Sequence, residues 1–231
     1  MPDQSSQQIR LNKFLAERLG VSRREADDLI AAGKVVVDDK TAELGARIDK
    51  SSKVCYNKKI VPFEADFSYI AFHKPVGYVC SRRAQGKVPT LYSLLPEKFS
   101  KLKTVGRLDK DSSGIILLTN DGNFAFEMTH PKFYKEKIYE VVLDRELAPL
   151  NQQEITDFGV RLEDGVSRFR IVHEDGVDRR HLKVILTEGR NRQIRRTFAA
   201  LGYKVAGLHR VQFGKYGLGG LKPGEWQEFQ K

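Results

Sequence analysis

Two short segments of this chain carry the residue types that do chemistry. The first is Thr104-Val105-Gly106-Arg107-Leu108-Asp109-Lys110-Asp111-Ser112-Ser113-Gly114. Gly106 and Gly114 permit tight bends, so the residues between them can project into a cleft. An aspartate there is either a turn residue bonded to its own backbone or a reactive carboxylate. The residues alone do not choose between Asp109 and Asp111. The second segment is Glu188-Gly189-Arg190-Asn191-Arg192-Gln193-Ile194-Arg195-Arg196. At ~100° per residue, Ile194, Phe198 and Leu201 form one apolar stripe, with Arg192 and Arg196 opposite it, facing solvent or phosphate. Arg195 falls at the stripe's edge, about 60° from Phe198. It can snorkel outward or turn inward onto a carboxylate.

Other chemistries find no seat. The chain has no GxxxxGK[ST] loop and no GxGxxG after a strand, so no nucleotide or dinucleotide cofactor is expected. His73, His130, His173, His181 and His209 are scattered, with no cysteine pair at metal spacing, so no metal site is expected. No Ser-His-Asp arrangement is legible. Carboxylate, tyrosine and arginine chemistry remains.

The elements around these segments read as follows. Residues 69–73 and 78–81 form strands joined by a Pro-Val-Gly turn, and 89–95 a short helix. Residues 115–119 are an apolar strand that Asn120-Asp121-Gly122 ends, opening a helix to Met128. Residues 137–143 alternate as a strand, with Tyr139, Val141 and Leu143 on one face. A helix over 149–158, strands at 167–173 and 181–187, a helix over 191–201 stopped by Gly202 and a last strand at 208–213 follow. Without a regular βαβ rhythm this is an α+β chain.

The front of the chain is a separate unit. Leu11, Phe14, Leu15 and Leu19 recur at helical spacing, and Gly20 ends that helix. Ser22 and Glu25 form a capping box that opens a second helix, with Ala26, Leu29 and Ile30 inward and Gly33 at its end. Strands at 35–37 and 53–56 complete it. Arg23 and Arg24 occupy the first turn of the second helix, the wrong end of the dipole for cations, at roughly 0.3–1 kcal/mol each. Either they are solvated, or a phosphate docks there. The boundaries read as a disordered tail 1–8, a domain 9–60, a linker 61–68 and a second domain 69–231.

The 231 residues carry a net charge of +10, unevenly spread. Residues 70–110 hold nine Lys/Arg against two acids, and residues 183–215 hold eight against one. Between them, residues 111–182 hold nine against fourteen. Two segments of +7 point to a surface that meets a polyanion rather than to solvated lysines alone. No apolar run is long enough to span a membrane, and MPDQSSQQ lacks the apolar stretch of a signal peptide. Cys55 and Cys80 sit in apolar-alternating runs and read as buried reduced thiols in a cytoplasmic protein.

The stretch RLNKFLAERLGVSRREADDLIAAGKVVVDD resembles the S4 RNA-binding domain, over nearly all of residues 9–60. That likeness implies RNA contacts from Arg10, Lys13, Ser22, Arg23, Arg24 and Lys34. GRLDKDSSGIILLTNDG and EGRNRQIRRTFAALGYKV resemble two motifs of pseudouridine synthases, and HKPVGYVCSR and the closing LKPGEW fit as well. The resemblance spans about residues 9–229 and is to the bacterial branch that acts on ribosomal RNA with an S4 domain in front. Thr197 departs from it, at a packing position where relatives usually carry Met or Leu.

The resemblance implies a pseudouridine synthase domain built on an extended mixed, mostly antiparallel sheet with flanking helices. It makes Asp109 the essential aspartate, Tyr139 the tyrosine that stacks on the target base, Arg195 the basic partner of the aspartate, and Arg107 the arginine that helps hold RNA with its base flipped out. No cofactor is implied, and relatives point to a monomer. Lys74, Arg82, Arg83, Arg190, Arg192, Arg196 and Arg210, within the two basic segments, are the further expected RNA contacts. The partner is ribosomal RNA or a pre-ribosomal particle, with a lean to the large subunit. A tRNA-modifying synthase and a non-catalytic assembly protein are the alternatives, and plain binding has no use for Asp109, Tyr139 and Arg195 together.

Overall fold

The computed structural model describes residues 8–64, 66–83, 86–173 and 178–231. Apart from Gln8, the expected N-terminal tail lies outside them. The chain divides into two compact units, residues 1–68 with 120–122, and residues 69–119 with 123–231.

In the first unit, β1 (Ile9–Arg10) leads into α1 (Leu11–Arg18) and α2 (Arg23–Ala31). Both halves of the capping box form: the Glu25 N–H donates to Ser22 Oγ, and the Ser22 N–H to the Glu25 carboxylate. The helices bury Leu11, Phe14, Leu15, Ala26 and Ile30. The strands β2 (Val35–Val37), β3 (Lys40–Thr41), β4 (Arg47–Ile48), β5 (Val54–Tyr56) and β6 (Lys59–Ile60) follow. Four of them make a sheet in the order β3-β2-β5-β6, and β4 pairs with β1. The expected linker is partly core: Val61 is buried, and the Phe63 ring lies 4.5 Å from that of Phe14.

The second unit has β7 (Tyr69–Lys74), β8 (Lys103–Val105), β9 (Ser113–Thr119), α3 (Gly122–Thr129), β10 (Lys137–Leu143) and α4 (Pro149–Gln153). After these come β11 (Val160–Leu162), β12 (Gly165–Ser167), β13 (Arg170–Val172), β14 (His181–Leu186), α5 (Gln193–Ala200), β15 (Val205–Phe213), β16 (Tyr216–Gly217) and β17 (Trp226–Glu228). Among the described residues nine strands join one sheet, with β13-β14-β10-β15-β9-β7-β17 as its path and β8 and β16 paired to β9 and β15. Only β15 and β9 run parallel. The fold is thus the expected mixed, mostly antiparallel sheet.

The apolar run of β9 explains its central place. Ile116 and Leu118 enter the larger core, with Phe72, Val141, Ile194 and Phe198, while Ile115 and Leu117 enter a smaller one, with Phe124, Met128 and Phe213. A strand buried on both faces needs apolar residues at every position. Residues 78–81 do not form the expected strand: Val79 makes one bridge, to Thr90. Cys80 is instead engaged by the backbone of Leu108. Both cysteines are free and half-buried rather than fully buried. The helix expected over 149–158 is α-helical to Gln153 and π-helical over Glu154–Phe158. Thr197 is fully buried in the core under α5, its hydroxyl donating to Ser167 Oγ at 2.7 Å. A partner for the hydroxyl makes threonine tolerable there.

Candidate active site

The loop 106–112, between β8 and β9, carries Asp109. Gly106 turns it, at φ +71°, and the Ser112 N–H closes a turn on the Asp109 carbonyl at 3.1 Å. Lys74, at the end of β7, is fully buried, and its ammonium donates to the carbonyls of Pro75 (3.0 Å), Asp109 (3.0 Å) and Ser112 (2.7 Å). The Gly77 N–H holds the Lys110 carbonyl at 2.7 Å. The loop backbone is therefore fixed from beneath while the Asp109 side chain stays about one-third exposed. Lys74 is not the RNA contact it was expected to be: its charge is spent on three carbonyls inside the unit. Burial pushes its pKa down.

The sheet order sets what stands beside the loop. Arg210 on β15 pairs with Gly114 of β9 on one side and with Tyr139 of β10 on the other. A Cβ at Gly114 would sit 2.1 Å from the Arg210 carbonyl oxygen, so only glycine lets the two backbones approach. The register shifts by one residue on β15 here, Ile138 facing Gln212 and Tyr139 facing Arg210, which sets Arg210 opposite the tyrosine. Asp109, Tyr139 and Arg210 line one cavity of about 230 Å³, with Arg107 and Arg192 also on its wall.

Arg192, not Arg195, is the guanidinium beside Asp109, with Nη1 3.5 Å from its carboxylate. Arg195 turns inward as its place on the wheel allows, but its Nη2 donates to the Asp111 carbonyl at 2.8 Å, its Nη1 to the Val205 carbonyl at 2.8 Å, and its Nε lies 3.4 Å from the Asp111 carboxylate. The pairing of Arg195 with Asp109 is thus corrected. The physical reason is local. The helix begins at Gln193, and Arg192 caps it in the left-handed conformation, φ 46° and ψ 33°. A wheel angle has no meaning for a residue outside the helix. Arg192 swings back to the loop and also grips Asp111 through both terminal nitrogens at 3.0 Å. That hydrogen-bonded pairing holds the Asp111 carboxyl below the usual carboxylate range.

The other expected RNA contacts divide by exposure. Arg10, Ser22, Arg23, Arg24 and Lys34 are exposed on the first unit, and Lys13 is half-buried. The Ser22 hydroxyl oxygen is engaged in the helix cap. Arg107 and Arg83 are exposed on the second unit, and Arg82 donates to the carbonyls of Lys101 and Leu102. Arg190 is tied to the β11–β12 hairpin through Asp164, Gly165 and Val166, and Arg196 holds Asp164 with two bonds of 3.1 and 2.7 Å. Those two arginines have acidic or carbonyl partners already and are not open phosphate contacts. Arg210 is 2% exposed and cannot lie along an RNA backbone.

Lys137 went unnoticed in the sequence. It lines the cavity, is 8% exposed, and stands 5.2 Å from the Phe213 ring centroid. Burial, with the neighbouring Arg210 charge, lowers its pKa to about 8. The alternation that turns Tyr139 inward on β10 turns residue 137 inward too, so that signal was present. His73 and His209 come together at 5.2 Å between ring centroids, and among the described residues no cluster of potential metal ligands forms.

The model of the RNA pseudouridylate synthase family matches residues 68–200, and that of the S4 domain residues 9–54. An RNA pseudouridine synthase of Aquifex aeolicus is 35% identical, over 95% of this chain and 92% of its own. A ribosomal small subunit pseudouridine synthase A of Pasteurella multocida is 34% identical, over 91% and 90%. A ribosomal large subunit pseudouridine synthase B of Yersinia pestis is 35% identical, over 95% of this chain and 72% of its own. A crystal structure of a pseudouridylate synthase superposes with a TM-score of 0.68 over 96% of both chains, at 28% identity. A carboxylate loop pinned under a tyrosine-lined cavity, behind an S4 module, is thus found in a chain that belongs to the RNA pseudouridylate synthase family and is a pseudouridine synthase.

Proposed function

We propose that this chain isomerises uridine to pseudouridine in ribosomal RNA, with Asp109 as the catalytic carboxylate. One observation carries the reading: Asp109 is the loop aspartate whose side chain enters the cavity shared with Tyr139, while Asp111 is held outside it by Arg192 and Arg195. The S4 domain and the relatives named for ribosomal subunits support ribosomal RNA as the substrate.

The chemistry follows from these groups. The target uridine leaves its stack, at a cost of a few kcal/mol, and its base lies against the Tyr139 ring, which offers a π-face. Arg107, exposed at the cavity wall, takes up backbone charge on the extruded strand. Asp109 then attacks C6 of the uracil or assists at C1′ of the ribose. The C1′–N1 bond breaks, the ring turns and C1′–C5 forms; C5 gives up its proton, N1 takes one up, and any bond made by the carboxylate breaks to restore it. The net change is an isomerisation, so no electron acceptor is consumed. Arg192, with Nη1 3.5 Å from the carboxylate, places a positive charge beside it.

Mapping pseudouridines on both ribosomal RNAs from cells with and without the protein tests the substrate. Loss of one pseudouridine in the deletion assigns the site and the subunit; an unchanged ribosomal map with a change in tRNA refutes the reading. Asp109→Asn is expected to keep RNA affinity and lose turnover.

A further inference from the structure

The floor of the cavity holds two buried cations, and among the described residues no acid stands within ion-pair distance of either, Glu188 on the same wall acting on Lys137 only from farther off. Arg210 donates through Nε to the Ile115 carbonyl at 2.8 Å and stands 3.5 Å from the Tyr139 hydroxyl through Nη1. Its Nη2 is buried and has no hydrogen-bond partner. Among the described residues the Lys137 ammonium donates to two carbonyls, of Lys135 and Glu188, both at 3.4 Å. Each cation disfavours the other, since the Arg210 charge helps to lower the Lys137 pKa. An unpartnered guanidinium N–H beside a second ammonium is costly to bury. A floor so built is arranged for negative charge that arrives with the ligand.

Exposure separates this arginine from the others on the cavity wall. Arg107 and Arg192 are exposed at the cavity's rim, whereas Arg210 is 2% exposed on its wall. A hydrated phosphate stays at the rim; a flat base enters. Arg210 is the cross-strand neighbour of Tyr139, and its guanidinium carbon lies 5.9 Å from the tyrosine ring centroid, near enough for a guanidinium N–H to meet a carbonyl of a base placed against that ring.

We infer that Arg210 is a further catalytic residue, whose free Nη2 donates to a carbonyl oxygen of the extruded uracil and stabilises the negative charge the ring carries during the reaction. The inference rests on the proposed uridine isomerisation. Both routes open to Asp109 put charge where Arg210 stands. If the carboxylate adds to C6, an O–C6 bond forms and the ring's electron pair moves onto C5 and O4. If it assists at C1′, the C1′–N1 bond breaks and the pair stays on the ring, shared by N1, O2 and O4. In either route C5 bonds to C1′, and the charge is discharged as N1 takes up a proton and C5 gives one up. Where the carboxylate had added to C6, the C1′–N1 bond breaks as C1′–C5 forms, and the O–C6 bond then breaks and frees the carboxylate. Arg210 keeps its own protons throughout, and no co-reactant is needed. Preorganised donors aimed at developing charge act strongly in such water-poor sites.

The experiment compares two RNA substrates in single turnovers, one with uridine at the target and one with 5-fluorouridine. It reads the loss of the N1-linked nucleoside. Fluorine at C5 withdraws charge from the ring and so replaces part of what Arg210 supplies. Arg210→Gln, which keeps a donor and removes the charge, is expected to slow the uridine substrate roughly 100-fold and the fluorinated one at least tenfold less, with RNA affinity unchanged. Equal slowing of both substrates means a structural role and overturns the inference, as does no slowing at all. Should Arg210→Gln not fold, as read by circular dichroism, Arg210→Lys keeps the charge. It is expected to hold both substrates within about tenfold of the unaltered enzyme, and a folded Arg210→Lys protein that loses 100-fold equally on both overturns the inference. The unaltered enzyme keeps the two readings apart. If it does not convert the uridine substrate, the proposed function fails; if it converts it and the two slowings match, only the role of Arg210 fails.

Discussion

Arg192 grips Asp111 through both terminal nitrogens at 3.0 Å, and from that anchored position its Nη1 reaches to 3.5 Å from Asp109. The second aspartate of the loop thus positions the cation that serves the first. Arg192→Gln is expected to lower turnover more than Arg195→Gln, because among the described residues Arg192 is the cation within 4 Å of the Asp109 carboxylate, whereas Arg195 reaches Asp111. Asp111→Asn should cost turnover roughly tenfold, about 1.4 kcal/mol, with Asp109 intact. Single-turnover rates of the three variants check this, and a larger loss in Arg195→Gln returns the pairing to Arg195. Because the folded Asp111 carboxyl lies below its usual range, its contribution to stability is present above about pH 4 and is lost only as pH falls through the lowered value.

The buried ammonium of Lys74 is the fixture beneath the loop that carries Asp109. Lys74→Met strips three carbonyls of their donor, each worth about 1–3 kcal/mol when left unsatisfied. Thermal unfolding should show a loss of several kcal/mol, with turnover falling at temperatures where the variant is still folded. A variant as stable as the parent would mean that water replaces the ammonium.

Gly114 is where β9 and β15 touch. Gly114→Ala puts a methyl 2.1 Å from the Arg210 carbonyl oxygen at a φ of +115°. Backbone strain and a separated strand pair predict a destabilisation of about 3 kcal/mol or more. The same substitution at Gly106, where the nearest atom is a Thr129 methyl 3.6 Å away and φ is +71°, should cost about 1 kcal/mol. Denaturant midpoints of the two variants give the comparison.

The pKa of about 8 at Lys137 has two consequences. Between pH 8 and about 10.5 the unfolded chain holds a proton that the folded one has released, so this group makes stability rise with pH across that window. Activity should move the other way, falling above pH 8 as the cavity floor loses a charge. Lys137→Arg, which stays protonated, is expected to shift that alkaline limb upward in a rate–pH profile; a limb that does not move assigns it to another group.

RNA affinity should fall steeply with salt, since each phosphate contact releases counterions. Arg107→Ala is expected to weaken binding and reduce the slope of log affinity against log salt by about one. Arg196→Ala should change neither much, because Asp164 already occupies that side chain. Binding titrations at three salt concentrations separate the two.

Short-range patterns determined much of this protein by themselves. Leu11, Phe14 and Leu15 at helical spacing, the Ser22–Glu25 cap and the alternation through β10 each depend on neighbours within one or two turns of chain, and all appear where the sequence put them. The loop that carries Asp109, too, was legible as a bend bounded by Gly106 and Gly114. Its partners were not. Arg192 escapes the helical wheel because one left-handed residue precedes the helix, and no periodicity encodes that. Lys74, Arg190 and Arg210 look in sequence like the other cations of two basic segments. Only the packing of strands far apart in the chain decides which charges reach solvent and which are enclosed: Arg210 is buried because β15 runs between β9 and β10. A side chain's charge is a local property, whereas its burial is set by the whole sheet.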